Sequence, residues 1–352
     1  MHELPSALEP LFHRFREGQR PALARAISVV ENERHGFQAL LHAVLSEGLR
    51  ARRLGVTGPP GAGKSSLVAA LATHYRAAGE EVGVVAVDPT SPYSGGALLG
   101  DRIRMNDLAT DPGIFIRSMA TRGSLGGLAT TTKEVVDLMD GFGFPRLLLE
   151  TVGVGQTELE VTSAADTVVV VLVPESGDGV QAMKAGLMEI ADVFVVNKAD
   201  RPGADRLLKE LRTAIHLRSG EGPGDVPAHH GVDMARVAGS GRGSGRRERP
   251  AGWQIPVLAT EAPSGRGIPE LAEAVAAHRA HMEASGELEA RRLRRAETRV
   301  RDVVARELRR LAWRSVSGAA LERGLADIAR GSETPYSVAA RFVSAILAGK
   351  EA

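Results

Sequence analysis

The chain has 352 residues, 43% hydrophobic and 25% charged, enough to bury a full α/β core and carry helical additions. The net charge of +1 removes the bulk electrostatic case for nucleic acid, and the absence of cysteine excludes disulfides, thiolate catalysis and cysteine metal sites together. The first residues lack the basic start and apolar stretch of a signal peptide, and no window approaches ~18 uninterrupted apolar residues, so a cytoplasmic location without a membrane partner is expected.

Residues 1–50 read as a helical extension. Leu8, Leu11, Phe12 and Phe15 have helical spacing, and Leu23, Ile27 and Val30 repeat it after Pro21. From residue 51 to about 275, short apolar runs alternate with helical stretches, as in an α/β domain with a mostly parallel central sheet. The strand candidates are Leu54–Thr57, Val82–Asp88, Ile114–Arg117, Arg146–Glu150, Thr167–Val173, Val193–Asn197 and Ile255–Thr260. A Gly-, Pro- and Arg-rich stretch at 219–252 reads as a flexible insertion. Residues 276–352 are helical and highly charged. Leu293, Val300, Val304, Leu308 and Leu311 form one apolar stripe there, to be buried on the preceding domain, on a membrane surface or, the favoured reading, against a second copy of the chain as a homodimer.

The first chemical motif follows the first strand. Gly58-x4-Gly63-Lys64-Ser65 is the phosphate-binding loop signature of nucleoside triphosphatases, between a strand and a helix as that chemistry requires. Gly58, Pro59, Pro60, Gly61, Ala62, Gly63, Lys64, Ser65 and Ser66 are expected to wrap the phosphates. The prolines have no N–H to give, so the anion cradle falls to Gly61 through Ser65 and the positive end of the helix dipole. Lys64 is expected at the β- and γ-phosphates and Ser65 on Mg²⁺. The chain has six lysines, at 64, 133, 184, 198, 209 and 350, and two of them fall in nucleotide motifs.

The second motif names the base. Asn197-Lys198-Ala199-Asp200 closes an apolar strand, and a carboxylate at Asp200 can accept from both the N1–H and the amino group of guanine, which adenine does not offer. Asn197 is expected to tie the base edge to the phosphate loop, with Lys198 along the ring. GTP and GDP are therefore the expected ligands. Glu261, Ala262 and Pro263 occupy the place of a further base-contacting loop.

Three acids end strands or sit on loops at the expected ligand edge: Asp88, Asp101 and Glu150. With Ser65 they make an oxygen set suited to Mg²⁺. Arg146-Leu-Leu-Leu-Glu150-Thr-Val-Gly153 resembles the Asp-x-x-Gly element of GTPases, with Gly153 as γ-phosphate sensor. The water-orienting glutamine of small signalling GTPases directly follows that glycine, whereas Gln156 lies three places beyond it. Slow intrinsic hydrolysis is expected, with Asp88 orienting the attacking water and Arg102, Arg104 and Arg122 as arginine-finger candidates.

The stretches Glu150–Gln156, Asp88–Pro92, Ser118–Gly127 and Asn197–Asp200 together resemble the methylmalonyl-CoA mutase-associated GTPases of the MeaB/ArgK type. The resemblance implies a P-loop NTPase fold and a homodimer joined by carboxy-terminal helices. It also implies a GTPase chaperone that gates cofactor loading and rescue of an adenosylcobalamin-dependent acyl-CoA mutase. Pro174–Gly186, with Asp178 and Lys184, would be a switch answering to that partner. Two rivals are a metallochaperone GTPase and a kinase of transport proteins. The first needs a Cys/His metal site. Cysteine is absent, and His229, His230, His278 and His281 read as surface histidines.

Overall fold

The computed structural model describes residues 3–88, 108, 110–120, 130–151, 161–174, 186–219 and 252–348. Two compact units divide between Arg292 and Leu293, within the helix Glu287–Ser315.

Within the first unit, strands β1 (Arg52–Thr57), β2 (Val82–Asp88), β3 (Ile114–Ala120), β4 (Arg146–Glu150), β5 (Thr167–Leu172), β6 (Val193–Asn197) and β7 (Val257–Thr260) form one sheet. Its order is β3-β2-β4-β1-β5-β6-β7, and every neighbouring pair is parallel. All seven strands lie where the apolar runs put them, because a parallel sheet covered on both faces reads as continuous Val and Leu. β7 starts two residues later than its run, at Val257. Pro256 has no N–H for the ladder, although its carbonyl accepts from Phe194 N at 2.9 Å.

The helices, in chain order, are α1 (Glu9–Arg16), α2 (Arg20–Glu31), α3 (Phe37–Leu45), α4 (Lys64–Ala77), α5 (Thr130–Phe142), α6 (Leu187–Ile190), α7 (Ala204–Ser219), α8 (Ile268–Ser285), α9 (Glu287–Ser315), α10 (Gly318–Ala329) and α11 (Pro335–Leu347). One sheet face, with Leu54, Val56, Leu148, Val169 and Val195, packs on Leu67, Val68 and Leu71 of α4 and Leu271 and Val275 of α8. The other face splits in two. β2 and β4 pack Val85, Leu147 and Leu149 on α1, α2, α3 and α5, while β5 and β6 pack Val170, Phe194 and Val196 on α6 and α7. The amino-terminal helices thus complete the same core as the sheet.

Buried ion pairs sit at the amino ends of the strands. Arg53, 7% exposed, donates to Asp137 at 2.9 Å and to Asp140 at 2.8 and 3.0 Å. Arg146 bonds both oxygens of Glu80, at 2.9 and 3.0 Å, and its guanidinium stacks 3.7 Å over the Tyr75 ring. Asp192, just before β6, takes two bonds from Arg291, at 2.8 and 2.9 Å. Asp166, just before β5, accepts from Arg279 and Arg292, each at 3.1 Å.

The second unit is helical. Ser317 caps α10 and Thr334 caps α11 in a capping box, and a small core forms from Ala320, Val338 and Phe342. Leu293, Val300, Val304, Leu308, Leu311 and Trp313 are exposed. No described helix is long and apolar enough to cross a membrane.

Candidate functional site

The candidate site lies at the carboxyl ends of β1, β4, β6 and β7, on the face covered by α4. Gly58 leaves β1 with φ 138°, and a Cβ there would stand 2.1 Å from the carbonyl oxygen of Val171 on β5, so only glycine lets the chain turn so close to the neighbouring strand. Gly63 precedes α4 with φ 81°, and its Cβ would come within 2.5 Å of Asn197 Nδ2. The loop between them ends on the first N–H groups of α4, an anion site by construction. Lys64, the first residue of α4, is buried and donates from Nζ to the carbonyls of Gly58 at 2.9 Å and Pro59 at 3.0 Å.

Register brings the metal candidates together. β4 lies beside β1 with Glu150 opposite Val56. Ser65, the second residue of α4, donates its hydroxyl to Glu150 Oε1 at 2.6 Å, and both residues are buried. Donating that proton leaves the lone pairs of the Ser65 oxygen for a cation, and a hydroxyl with a carboxylate is the hard oxygen chemistry that Mg²⁺ takes.

The guanine motif is joined to the phosphate loop directly. Asn197 ends β6 and is 1% exposed; its Nδ2 donates to Ala62 O at 2.9 Å. Its Oδ1 accepts from the Thr260 hydroxyl at 3.1 Å and from Ala262 N at 3.3 Å, so all of its polar atoms serve the site's framework. Lys198 has φ 56° and reaches Gly61 O with Nζ at 2.9 Å. Asp200 is exposed. Glu261 is paired with Arg266 at 2.7 Å across a tight turn that carries Pro263 outward and holds Ala262 inward on Asn197. Thr260, the residue that opens the expected base-contacting loop, is fully buried and sits level with Asn197 at the end of β7.

Asp101, Gly153, Gln156, Asp178 and Lys184, the three arginine-finger candidates, His229 and His230 lie outside the described residues, as does the Asp88 side chain. The backbone of Asp88 ends β2, two residues past Ala86, the register partner of Glu150.

The reading of His278 as a surface histidine is overturned. It is 1% exposed, with Nδ1 2.9 Å from the Thr167 hydroxyl, Nε2 3.4 Å from Asp192 Oδ1, and the Trp253 ring 4.8 Å away. Burial pushes its pKa down to about 4, against the opposing pull of Asp192. His281 also packs against Trp253, at 5.6 Å. Among the described residues, no group of three or more His, Cys, Asp and Glu side chains is placed to hold a metal ion.

The family model described as methylmalonyl Co-A mutase-associated GTPase MeaB matches residues 23–317. A putative GTPase of Pyrococcus abyssi is 41% identical over 342 residues, covering 97% of this chain and 98% of its own. The GTPase ArgK of Escherichia coli is 36% identical over 288 residues, covering 81% and 80%. A crystal structure described as LAO/AO transport system kinase superposes with a TM-score of 0.65 at 26% identity, covering 97% of this chain and 98% of that one. Phosphate loop, Asn-Lys-Ala-Asp element and parallel sheet agree with these matches: the chain belongs to the methylmalonyl-CoA mutase-associated GTPase family of MeaB/ArgK type and is a P-loop GTPase.

Proposed function

We propose that the chain is a GTP-hydrolysing chaperone of an adenosylcobalamin-dependent acyl-CoA mutase, gating cofactor loading and protection or reactivation of that enzyme in the cytoplasm. The hydrogen bond from Asn197 to Ala62 carries the nucleotide reading, since it fuses a guanine-reading element to a phosphate loop. The family's description supports the mutase as partner.

In this reading GTP and GDP lie along Gly58–Ser66, with Asp200 on the guanine edge and Glu261, Ala262 and Pro263 beside it. Lys64 exchanges its carbonyl partners for phosphate oxygens. Ser65 and Glu150, with Asp88 and Asp101, would hold Mg²⁺, which would supply positive charge to offset that developing on the transferred phosphate. Asp88 orients water, Gly153 senses the γ-phosphate, and Gln156, Asp178 and Lys184 belong to segments that answer to the partner. The exposed apolar side chains from Leu293 to Trp313 form the homodimer surface.

GTP turnover of the purified chain, alone and with candidate acyl-CoA mutases, tests the proposal. A stimulation of about 10-fold or more is expected, roughly 1.4 kcal/mol on the barrier. Absence of both stimulation and binding with every candidate mutase overturns the partner. Equal affinity for ATP and GTP overturns the guanine reading and favours a kinase.

A further inference from the structure

One step beyond the register pair Val56–Glu150, at the exits of β1 and β4, Thr57 and Thr151 face each other. Thr151 N donates to Val56 O at 3.2 Å, which carries the backbone ladder past the last strand residue. The two hydroxyls meet at 2.8 Å, with Thr57 0% and Thr151 1% exposed. Because side chains alternate along a strand, this pair lies on the face opposite Glu150.

The sequence around the pair gives it a reach that its own contacts do not show. Thr57 immediately precedes Gly58, the root of the phosphate loop, and Thr151 immediately follows Glu150. The exit of β4 is therefore fastened to the loop by two side-chain bonds on opposite faces: Ser65 to Glu150 at 2.6 Å and Thr151 to Thr57 at 2.8 Å. The first lies where a metal would bind. The second is sealed from solvent. On the same face Leu147 and Leu149 fill the earlier positions of β4 and Val168 and Val170 those of β5, so strand pairing itself does not call for hydroxyls.

We propose that Thr57 and Thr151 are positioning residues for GTP hydrolysis. Their bond clamps the β4 exit to the root of the phosphate loop, and so holds the Glu150 carboxylate at the distance from Ser65 that the metal needs. The proposal rests on the GTPase reading. Both hydroxyls lie on the face opposite Glu150 and Ser65, and the clamp includes none of the loop N–H groups, Asn197 or Asp200. The effect therefore falls on turnover and Mg²⁺ requirement, leaving affinity for GDP in place.

Four variants of the full chain test this: Thr57→Val, Thr151→Val, the double valine and the double serine. Each single valine strands one buried hydroxyl and lowers the melting temperature; the double valine removes both polar groups at constant shape and restores it towards wild type. The double valine is expected to bind GDP within about twofold of wild type. Its saturated GTP turnover should be about fivefold or more lower, with about threefold more Mg²⁺ needed for half-maximal rate. The double serine keeps both hydroxyls and should turn over within about twofold of wild type. A stable double valine with wild-type turnover and Mg²⁺ dependence overturns the clamp, and so does a double serine as slow as the double valine. Wild type that neither binds GDP nor hydrolyses GTP overturns the GTPase reading first, a result visible before any variant is compared.

Discussion

The side-chain amide of Asn197 donates to the carbonyl oxygen of Ala62 at 2.9 Å, joining the end of β6 to the middle of a loop 135 residues earlier in the chain. Base recognition and phosphate recognition are therefore one hydrogen-bonded body, closed on the far side by Thr260 and Ala262. Replacing Asn197 by Ala strands the Thr260 hydroxyl and the Ala262 N–H and frees the loop. The expected loss in GDP affinity is about 1–3 kcal/mol by calorimetry, as for buried groups left without a partner. An unchanged Kd would show that the loop holds its shape without β6.

Asp200 stands exposed beyond that framework, so its substitution should leave the fold intact. Asp200→Asn is expected to weaken GTP and GDP by about 1–3 kcal/mol, with no loss for ATP, because only guanine presents two donors to a carboxylate. Parallel titrations with both nucleotides check the difference; a loss common to ATP would place Asp200 outside base recognition.

His278 makes stability depend on acid. Its folded pKa of about 4 lies below the ordinary 6.5, so the unfolded chain binds the proton more readily. The contribution of neutral His278 is complete above pH 6.5 and is lost progressively as pH falls through about 4. The facing groups are Asp192 and Glu287, which oppose the shift, and Arg291 and His281, which add to it. The full difference is about 3 kcal/mol at 1.36 kcal/mol per pH unit. Urea unfolding between pH 4 and 7 should show a steeper loss for wild type than for His278→Asn; parallel curves would assign the acid sensitivity to other groups.

Asp140 accepts from Arg53 and from the backbone N–H groups of Arg50 and Ala51, at 2.7 to 3.0 Å. Asp140→Ala leaves the buried Arg53 with one acid fewer and two amides unpaired. A destabilisation of about 3–5 kcal/mol is expected, the range for breaking a buried ion pair. A shift below about 1 kcal/mol in chemical unfolding would mean that Asp137 alone carries the guanidinium.

A chain ending at Arg292 keeps the whole first unit and drops the exposed residues Leu293, Val300, Val304, Leu308, Leu311 and Trp313. The proposed homodimer predicts a dimeric full chain and a monomeric truncation by light scattering. A truncated dimer would move the subunit contact onto the first unit.

The strands were legible because each is an apolar run with a motif or a turn at its end, and the phosphate and guanine elements were legible because their chemistry needs particular residues in a short span. The ion pairs were not, since Arg53 and Asp140 or Asp192 and Arg291 are brought together only by folding, and a lone charge reads as solvated surface. A local trace existed: Asp166 and Asp192 stand directly before the strands Thr167–Leu172 and Val193–Asn197. His278 was misread for the same reason, because its burial depends on Trp253 and Asp192 from distant segments. Glu150 and Ser65 could be paired in expectation by motif, yet their alignment came from the β1–β4 register.

Those ion pairs also act as a ruler. β1 carries buried Arg53 near its start and the root of the phosphate loop at its end; β4 runs from Arg146 to Glu150; β6 runs from Val193, directly after Asp192, to Asn197. Each strand therefore has a charged peg at one end and a site residue roughly 13–17 Å away at the other, at ~3.3 Å per residue. A slip of one residue would pull the peg from its partner and turn the site residue to the wrong face, two penalties incurred together. Insertions or deletions inside β1, β4 or β6 should thus abolish nucleotide binding even where the sheet still forms, while changes of length in the turns before the pegs leave the spacing of the site intact.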